Sequence, residues 1–245
     1  MLSIVIPARN EALALGPLIA EIERALVDFT GFEIIVVDDG STDATEAAVL
    51  ASPSLRVRYI RHPLPGGQSA AIHSGVRAAR HSLICTLDGD GQNPPDALPQ
   101  IIAPLLADQA GVVGLVAGQR VGRHDTVNRR LASGLANWLR RLLLRDGTRD
   151  TGCGLKVFRR EAFLDLPYFN HMHRYLPALF LRDGWQVLHV DVPHRPRLSG
   201  RTHYSNLQRA LVGAVDLCGV LWLIRRRKKV RPAPAAGLRD GSGHG

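Results

Sequence analysis

Two carboxylates stand one residue apart at the end of a short, mostly apolar run. The run Leu83 to Leu87 suits a strand buried on both faces, and Asp88 and Asp90 follow it around Gly89. Two acids this close repel each other unless a cation lies between them. Mg²⁺ or Mn²⁺ binds one or two carboxylates and completes its shell with water and phosphate oxygens, and Gln92 adds an amide oxygen. A solvated Asp-Gly turn is the alternative.

A second acid pair follows a second predicted strand. Glu33 to Val37 ends in Asp38 and Asp39, and ligands of parallel α/β sheets bind at the carboxyl ends of the strands. No glycine-rich dinucleotide loop or P-loop sequence follows any strand, which argues against those two enzyme classes. A nucleotide whose phosphates are held by a metal, and whose base or ribose is reached by carboxylates, fits these residues better.

The elements that must position these acids alternate between strands and helices. This alternation predicts an α/β fold with a mostly parallel central sheet. Strands are expected at Leu2–Ile6, where Pro7 stops the first one, and at Glu33–Val37, Arg56–Arg61, Leu83–Leu87, Gly114–Gln119 and Gln186–Val192; helices are expected at Ala12–Phe29, Asp43–Leu50, Ser69–Arg80, Asp96–Leu106 and Thr126–Leu144.

Arginines cluster at the end of the Gly114–Gln119 strand and along the helix that follows. Arg120, Arg129 and Arg130 are placed to meet phosphate if the intervening loop folds back over the strand ends. Arg140 and Arg141 are expected on a solvated basic face.

Three later segments leave alternatives open. The glycine-hinged turn Asp150–Phe158 is either a tight connection or a means of placing Asp150 and Cys153 beside a substrate. His171 and His173 resemble a metal pair, but no acidic third ligand is near, so a polar lining is favoured. The basic loop Arg195–Tyr204 could grip a phosphate.

The formal charge of +9 is concentrated in one tract. Six of these charges belong to Arg225, Arg226, Arg227, Lys228, Lys229 and Arg231, which leaves 9 − 6 = 3 for the rest of the chain. A basic tract beside an apolar segment is typical of binding to anionic lipid, and no nucleic-acid motif accompanies it. We therefore expect an anionic membrane surface as a partner and no nucleic acid. Three cysteines without metal spacing fit a reducing compartment.

The apolar segment before this tract is short. As a helix, Ala210 to Ile224 spans about 22 Å at 1.5 Å per residue, less than the roughly 30 Å of a bilayer core. It is expected to lie in the membrane interface, with a buried core helix as the alternative. The predicted division is a catalytic domain at 1–205, a membrane-associating helix with its basic tract at 206–230, and a disordered tail at 231–245.

Three motifs in this order and spacing resemble glycosyltransferase family 2. They are Ile4–Glu11 (Ile-Val-Ile-Pro-Ala-Arg-Asn-Glu), Val36–Asp43 (Val-Val-Asp-Asp-Gly-Ser-Thr-Asp) and Asp88–Pro95 (Asp-Gly-Asp-Gly-Gln-Asn-Pro-Pro). Asp150–Phe158, His173–Pro177 and Arg197–Tyr204 are similar to the branch that contains dolichol-phosphate mannosyltransferase and bacterial polyprenyl-phosphate glycosyltransferases.

The resemblance implies a Rossmann-like GT-A fold, a nucleotide-sugar donor and a divalent cation. It assigns Asp88, Asp90 and Gln92 to the metal and the diphosphate, and Glu11 and Asp39 to the nucleoside. Pro7, Arg9 and Asp38 belong to the same donor-binding motifs. Arg120 and Arg130 match basic positions near the phosphates, and Arg197 with the Gly200 to Tyr204 loop matches a segment that closes over both substrates.

Two departures from the family pattern stand out. Thr202 and His203 replace the usual Ser-Lys before Tyr204, which weakens a fixed positive charge. Several transmembrane helices that some relatives append are absent from this sequence, which puts the functions tied to them in doubt.

The acceptor chemistry favours a lipid phosphate. Inverting transfer to a hydroxyl needs a general base, and the position where an acid is expected is His173-Arg174. A phosphate acceptor, with a second pKa of about 6, is already ionised at pH 7. The prediction is inverting transfer of a hexose from a UDP- or GDP-sugar to a polyprenyl or dolichyl phosphate, on the cytoplasmic face of the membrane. The alternatives are transfer to a hydroxyl, with Asp150 or His173 as base, and a non-catalytic binding module.

Overall fold

The computed structural model describes residues 1–121, 140, 142–195 and 206–227. In these described residues, seven strands form one sheet in the order β3-β2-β1-β4-β6-β5-β7. The strands are β1 Leu2–Ala8, β2 Phe32–Asp38, β3 Val57–Arg61, β4 Leu83–Thr86, β5 Val113–Arg120, β6 Lys156–Arg159 and β7 Gln186–Val192. Of these seven strands, only β6 runs antiparallel to its neighbours, so the predicted mostly parallel sheet is confirmed.

Helices cover both faces of this sheet. They are α1 Ala12–Ala25, α2 Thr45–Leu50, α3 Gln68–Ala78, α4 Leu98–Ala107, α5 Arg160–Leu164, α6 Leu176–Arg182 and α7 Asn206–Arg225, with short 3₁₀ turns at Pro95–Ala97 and Met172–Arg174. Alternate residues of β1 and β2 face opposite layers. Ile4 and Ile34 pack with α1, α2 and α4, whereas Val5 and Ile35 pack with α3, α5, α6 and α7. This alternation explains why the central strands are apolar along their whole length.

The first strand does not stop at Pro7, contrary to the sequence expectation. Pro7 pairs with Val37 and the strand continues to Ala8. A proline is tolerated here because its missing N–H faces β4, whose pairing with β1 has already ended at Val5 and Thr86. The extension matters because it carries β1 up to the loop of Arg9 and Glu11.

Helix α3 lies unusually close to the sheet. A Cβ on Gly75 would be 2.4 Å from Cγ1 of Val5, so only glycine permits this approach. The close packing brings the amino-terminal turn of α3, with Gln68 and Ser69, to the carboxyl ends of β1 and β4.

The expectation of a solvated basic face is wrong for Arg140. Its side chain is 9% exposed and its guanidinium binds the buried carboxylate of Asp146, with one nitrogen–oxygen distance of 3.2 Å. The pairing acid lies six residues away beyond the predicted helix, so helical spacing alone could not reveal it. Arg129, Arg130 and Arg141 lie outside the described residues.

The C-terminal helix is longer than expected, with 20 residues from Asn206 to Arg225. Val220 is fully buried, and Leu217 and Leu221 pack on the same core as α6. Among the helices of the described residues, none combines the length and the apolar character needed to cross a membrane. The predicted domain limits, including a disordered tail at 231–245, stay a prediction.

Candidate active site

A cavity of about 710 Å³ opens at the carboxyl ends of β1, β2 and β4. Three loops that follow these strands, the first turn of α3, the segment before α6 and one residue of α7 surround it. Its lining residues are Pro7, Ala8, Arg9, Glu11, Asp39, Gly67, Gln68, Ala71, Asp88, Gly89, Asp90, His171, His173, Arg174 and Val212. Six residues predicted for the site, namely Pro7, Arg9, Glu11, Asp39, Asp88 and Asp90, are thus brought together, although the strands that deliver them are far apart in sequence.

The loops after β1 and β2 are held together by side-chain hydrogen bonds. Asn10 has a left-handed backbone with φ 57°, a conformation that asparagine tolerates. Its N–H donates to Ser41 Oγ at 2.9 Å, and its Oδ1 accepts from the Thr42 N–H at 2.8 Å. The Glu11 N–H donates to Thr45 Oγ1 at 3.0 Å. These contacts fix where Arg9 and Glu11 enter the cavity.

Asp39 is held by its neighbours while it lines the cavity. Its Oδ1 accepts from the Gly66 N–H at 2.7 Å and lies 2.8 Å from Nδ1 of His62, and its Oδ2 accepts from the Gly67 N–H at 2.7 Å. His62 Nε2 in turn lies 2.9 Å from Ser74 Oγ. The carboxylate is therefore pre-oriented toward the ligand space.

Asp38 does not line the cavity. It is 1% exposed, its Oδ1 accepts from the Ser41 N–H at 2.7 Å, and its Oδ2 accepts from the Tyr59 hydroxyl at 2.6 Å. Burial acts to raise the pKa of Asp38, but these hydrogen bonds and the charge of Arg61 outweigh it and lower that pKa. The first acid of this pair shapes the loop, and only the second faces the ligand space.

Asp88 and Asp90 follow the end of β4, and both line the cavity. The Gln68 side chain donates from Nε2 to Asp88 Oδ1 at 2.8 Å. The backbone of Gly154 packs against the same carboxylate, since a Cβ there would be 2.2 Å from its atoms. The Gln92 N–H donates to Asp90 Oδ1 at 3.1 Å, but Gln92 is not among the lining residues.

The donor chemistry of the acid pair fits a hard divalent cation. Asp88 and Asp90 both belong to the cavity lining, and carboxylate oxygens are the ligand type that Mg²⁺ and Mn²⁺ prefer. Within the described part of the chain, no three His, Cys, Asp or Glu side chains gather as a metal-binding group. A cation held here would take its remaining ligands from water and substrate phosphates, as Mg²⁺ commonly does.

Arg120 is paired with Asp150 instead of lining the cavity. Its Nε donates to Asp150 Oδ2 at 2.5 Å and its Nη2 donates to Oδ1 at 2.9 Å. The Gly152 N–H also donates to Oδ1, at 3.1 Å. Both carboxylate oxygens of Asp150 are thus engaged by Arg120, which argues against Asp150 as a general base.

A buried lysine lies on β6, paired with Thr86 of β4. Lys156 is 4% exposed in β6, and its ammonium donates to the carbonyl of Cys153. Burial lowers the pKa of Lys156, against the opposing charges of Cys153, Asp88 and Asp150. Sequence reasoning missed this residue, because one lysine in a short strand is ordinarily a solvated edge position. The pairing of β6 between β4 and β5 buries it.

The remaining wall comes from the segment before α6 and from α7. His171 has φ 67° and its Nδ1 lies 3.0 Å from Asp216 Oδ2 of α7. The Tyr175 hydroxyl donates to the Gly213 carbonyl at 3.2 Å. These contacts hold α7 against the cavity, where Val212 joins the lining. The expectation of a polar lining for His171 and His173 matches their positions.

Four of the predicted site residues lie outside the described residues. They are Arg130, Arg197, Gly200 and Tyr204.

Comparison with known proteins identifies the family. The profile described as Glycosyl transferase family 2 matches residues 3–166. Dodecaprenyl-phosphate galacturonate synthase of Rhizobium johnstonii is 32% identical over 94% of this chain and 69% of the relative. Undecaprenyl-phosphate 4-deoxy-4-formamido-L-arabinose transferase of Pectobacterium carotovorum is 33% identical over 84% of this chain and 63% of the relative. The match thus spans about two thirds of these curated relatives, and it confirms the predicted resemblance to the polyprenyl-phosphate branch.

Solved structures show the same fold. Glucosyl-3-phosphoglycerate synthase of Mycobacterium tuberculosis, in complex with Mn²⁺, UDP and phosphoglyceric acid, has a TM-score of 0.70 at 22% identity, covering 93% of this chain and 79% of that one. The same enzyme with Mn²⁺, UDP-glucose and glycerol 3-phosphate has a TM-score of 0.69 at 21% identity, covering 91% and 79%. The predicted GT-A fold is confirmed. The chain belongs to glycosyl transferase family 2 and is a glycosyltransferase.

Proposed function

We propose that this protein transfers a hexose, with inversion, from a nucleotide-sugar to a polyprenyl phosphate at the membrane surface. The observation that carries the lipid acceptor is the position of α7, which contributes Val212 to the cavity wall. On the same helix Val215 is 73% exposed and Trp222 is 60% exposed. An acceptor in the cavity would therefore have an exposed apolar helix beside its isoprenoid chain.

The charges at the end of α7 support binding to an anionic surface. Arg225 ends the helix and Arg226 and Arg227 follow, all three exposed. Basic residues next to an apolar helix face contribute roughly 1 kcal/mol each near anionic lipid, and the apolar face adds burial energy. Peripheral binding on the cytoplasmic face is part of the proposal.

Ionisation of the acceptor explains why the site can work without a general base. A phosphomonoester, with a second pKa of about 6, is largely dianionic at pH 7 and attacks the anomeric carbon without losing a proton. Arg9 and Arg174 are the cationic side chains among the described lining residues, and they can balance the charge of the acceptor. The protein's tasks are then alignment and charge neutralisation.

The acid pair supplies the site for a divalent cation. Asp88 and Asp90 would hold Mg²⁺ or Mn²⁺, which when bound stabilises the charge on the departing nucleoside diphosphate. Asp39 and Glu11 lie in the same cavity and would bind the nucleoside of the donor. Gln68 fixes the orientation of Asp88 through its amide.

The relatives support the acceptor class. The names of the Rhizobium and Pectobacterium proteins refer to dodecaprenyl phosphate and undecaprenyl phosphate. Their sugars differ, so the resemblance supports the lipid phosphate more strongly than any particular sugar.

One assay tests the proposal. Purified protein is incubated with Mg²⁺ or Mn²⁺, a panel of UDP- and GDP-sugars and a short polyprenyl phosphate, and the released nucleoside diphosphate is measured with and without EDTA. We expect release that depends on the lipid and stops with EDTA. Metal-dependent release that ignores the lipid would instead support a hydroxyl acceptor. No release from any pair would support a binding module.

A further inference from the structure

Buried Ser69 and partly buried His173 form a pair at the cavity wall. The two residues are 104 positions apart, and Ser69 Oγ lies 2.8 Å from His173 Nδ1. The backbone N–H of His173 also donates to the same oxygen at 3.3 Å. Ser69 is 3% exposed in the first turn of α3, so its hydroxyl depends on protein partners for its hydrogen bonds.

The direction of the hydrogen bond follows from counting donors and acceptors. The Ser69 oxygen already accepts from the His173 N–H, and its hydroxyl hydrogen still needs an acceptor. Among the described residues, His173 Nδ1 is the acceptor within reach. If Nδ1 carried the proton instead, the hydroxyl hydrogen would be left buried without a partner, which is costly. Ser69 therefore donates to Nδ1.

The charge state of the ring agrees with this arrangement. Burial, followed by the positive charges of Lys156 and Arg174 and the neighbouring His171, holds the pKa of His173 well below its ordinary value. The imidazole is thus neutral at pH 7. A neutral imidazole that accepts at Nδ1 carries its hydrogen on Nε2.

The second ring nitrogen remains available to a ligand. His173 lines the cavity, and no hydrogen bond from a described residue reaches Nε2. Building on the proposed function, we propose that Ser69 fixes His173 as a hydrogen-bond donor through Nε2–H to an oxygen of the bound substrate, either a donor-sugar hydroxyl or a phosphate oxygen. In this state His173 cannot accept a proton from an acceptor hydroxyl, so it positions substrate without acting as a base.

The tautomer can be measured without any substrate. In the full chain labelled with ¹⁵N-histidine, two-bond ¹H–¹⁵N correlation spectra at pH 7 distinguish a protonated Nε2 from a protonated Nδ1, and the spectrum of His173→Gln assigns the signals. We expect neutral His173 with the hydrogen on Nε2, and a mixture of tautomers in Ser69→Ala. An Nδ1–H tautomer or an imidazolium at pH 7 would overturn the proposal. This result is independent of turnover, so it also separates the inference from the proposed function.

A matched control is available in the same helix. Ser74 Oγ lies 2.9 Å from Nε2 of His62, so it is also a serine in contact with a histidine ring, although through the other ring nitrogen. Ser74→Ala should leave the His173 signals unchanged. A tautomer change in this variant equal to that of Ser69→Ala would show a general effect on α3 and would contradict the specific role of Ser69.

Kinetic measurements show whether His173 acts as a hydrogen-bond donor or as a base, and they identify the substrate oxygen that it contacts. The amide of Gln can donate from near the position of Nε2, whereas Leu cannot, so His173→Gln should retain more turnover than His173→Leu. The Leu variant should lose about 2- to 10-fold if the partner is a neutral hydroxyl and about 10- to 100-fold if it is a charged phosphate oxygen. A rise in KM for the sugar donor alone would place the contact on the donor, and a rise for polyprenyl phosphate alone would place it on the acceptor. A Gln variant no more active than the Leu variant would contradict the donor role.

Discussion

The side-chain amide of Gln68 donates a hydrogen bond of 2.8 Å to Oδ1 of Asp88. Through this contact, the first turn of α3 orients one of the two carboxylates proposed to bind the cation. Residues that orient a metal ligand typically change metal affinity by 10–100-fold when they are mutated. We therefore expect Gln68→Met to weaken Mn²⁺ binding about tenfold, measured by calorimetry. Gln109→Met, at an exposed turn position, is the control. Equal affinities in the two variants would refute the orienting role.

Loss of the second carboxylate should abolish turnover. Asp90 is 6% exposed and lines the cavity. Metal stabilisation of a leaving group supplies several kcal/mol, and each 1.4 kcal/mol is a factor of ten, so Asp90→Ala should reduce the rate of nucleoside diphosphate release by about 1,000-fold or more. Its circular dichroism spectrum should match that of the parent. Asp96→Ala removes an exposed acid from the same segment and should leave the rate unchanged. Full activity of Asp90→Ala would refute the proposed mechanism.

The position of Gly154 makes the metal site sensitive to a single methyl group. A Cβ there would be 2.2 Å from the Asp88 carboxylate, and that side chain would have to rotate away. Gly154→Ala should therefore impair Mn²⁺ binding and turnover more than it lowers thermal stability. In Gly16→Ala nothing lies within 4 Å of the added methyl group, and a helix gains about 0.5–1 kcal/mol from this change. Normal Mn²⁺ affinity in Gly154→Ala would contradict the predicted contact.

The base of the sheet contains an acid whose contribution to stability depends on pH. Glu33 is 6% exposed and binds Arg58 Nη1, the Arg80 N–H and Ser3 Oγ, each at 2.7 Å. Burial acts to raise the pKa of Glu33, but these three hydrogen bonds and the charge of Arg58 lower it below the ordinary value of 4.5. Because the folded state has the lower pKa, its contribution is complete above about pH 4.5 and is lost as the pH falls below that value.

Glu33→Gln tests this contribution. We expect it to reduce the free energy of unfolding by about 1–3 kcal/mol at pH 7, measured by urea denaturation, and the difference should shrink as the pH falls from 5 toward 3. Glu46 pairs with Arg61 at the surface, with side chains 44% and 50% exposed. Glu46→Gln should cost less than about 1 kcal/mol. A constant difference between Glu33→Gln and the parent protein across this pH range would be inconsistent with the lowered pKa.

The exposed face of α7 should control membrane binding. Trp222 is 60% exposed, and burial of a large apolar side chain contributes about 1.5–3 kcal/mol. Trp222→Glu should therefore reduce the affinity for anionic vesicles, measured by co-sedimentation, by roughly 10- to 100-fold. Leu55 is fully exposed before β3, so Leu55→Glu makes a similar charge change away from α7 and should bind normally. Binding of the parent protein should weaken with added salt. Equal loss in both variants would argue against α7 as the docking face.

The sequence was sufficient to predict the sheet and the acids at its edge. Two apolar runs end abruptly in Asp38-Asp39 and in Asp88-Gly-Asp90, and these runs locate two strands in the sequence. Because parallel neighbours run in the same direction, both acid pairs must emerge at the same edge of the sheet. The sequence could not separate the roles of Asp38 and Asp39. That separation depends on Tyr59 of β3, whose hydroxyl donates a hydrogen bond to one carboxylate oxygen of Asp38.

The rest of the site depends on contacts that are distant in sequence. Ser69 meets His173 across 104 positions, and Lys156 becomes buried only when β6 pairs with β4 and β5. Local periodicity carries no information about such pairings. The same limitation explains the wrong expectation for Arg140, whose partner Asp146 lies beyond the helix that was predicted to expose it.

The antiparallel strand β6 also constrains how the chain can fold. It is the link between the four strands β3-β2-β1-β4 and the pair β5-β7, and it pairs Leu83 with Arg159. During synthesis, the edge of β4 that pairs with β6 therefore stays unpaired until residue 159 has left the ribosome. Such an edge is an aggregation hazard. Nascent chains that end between β5 and β6 expose this edge.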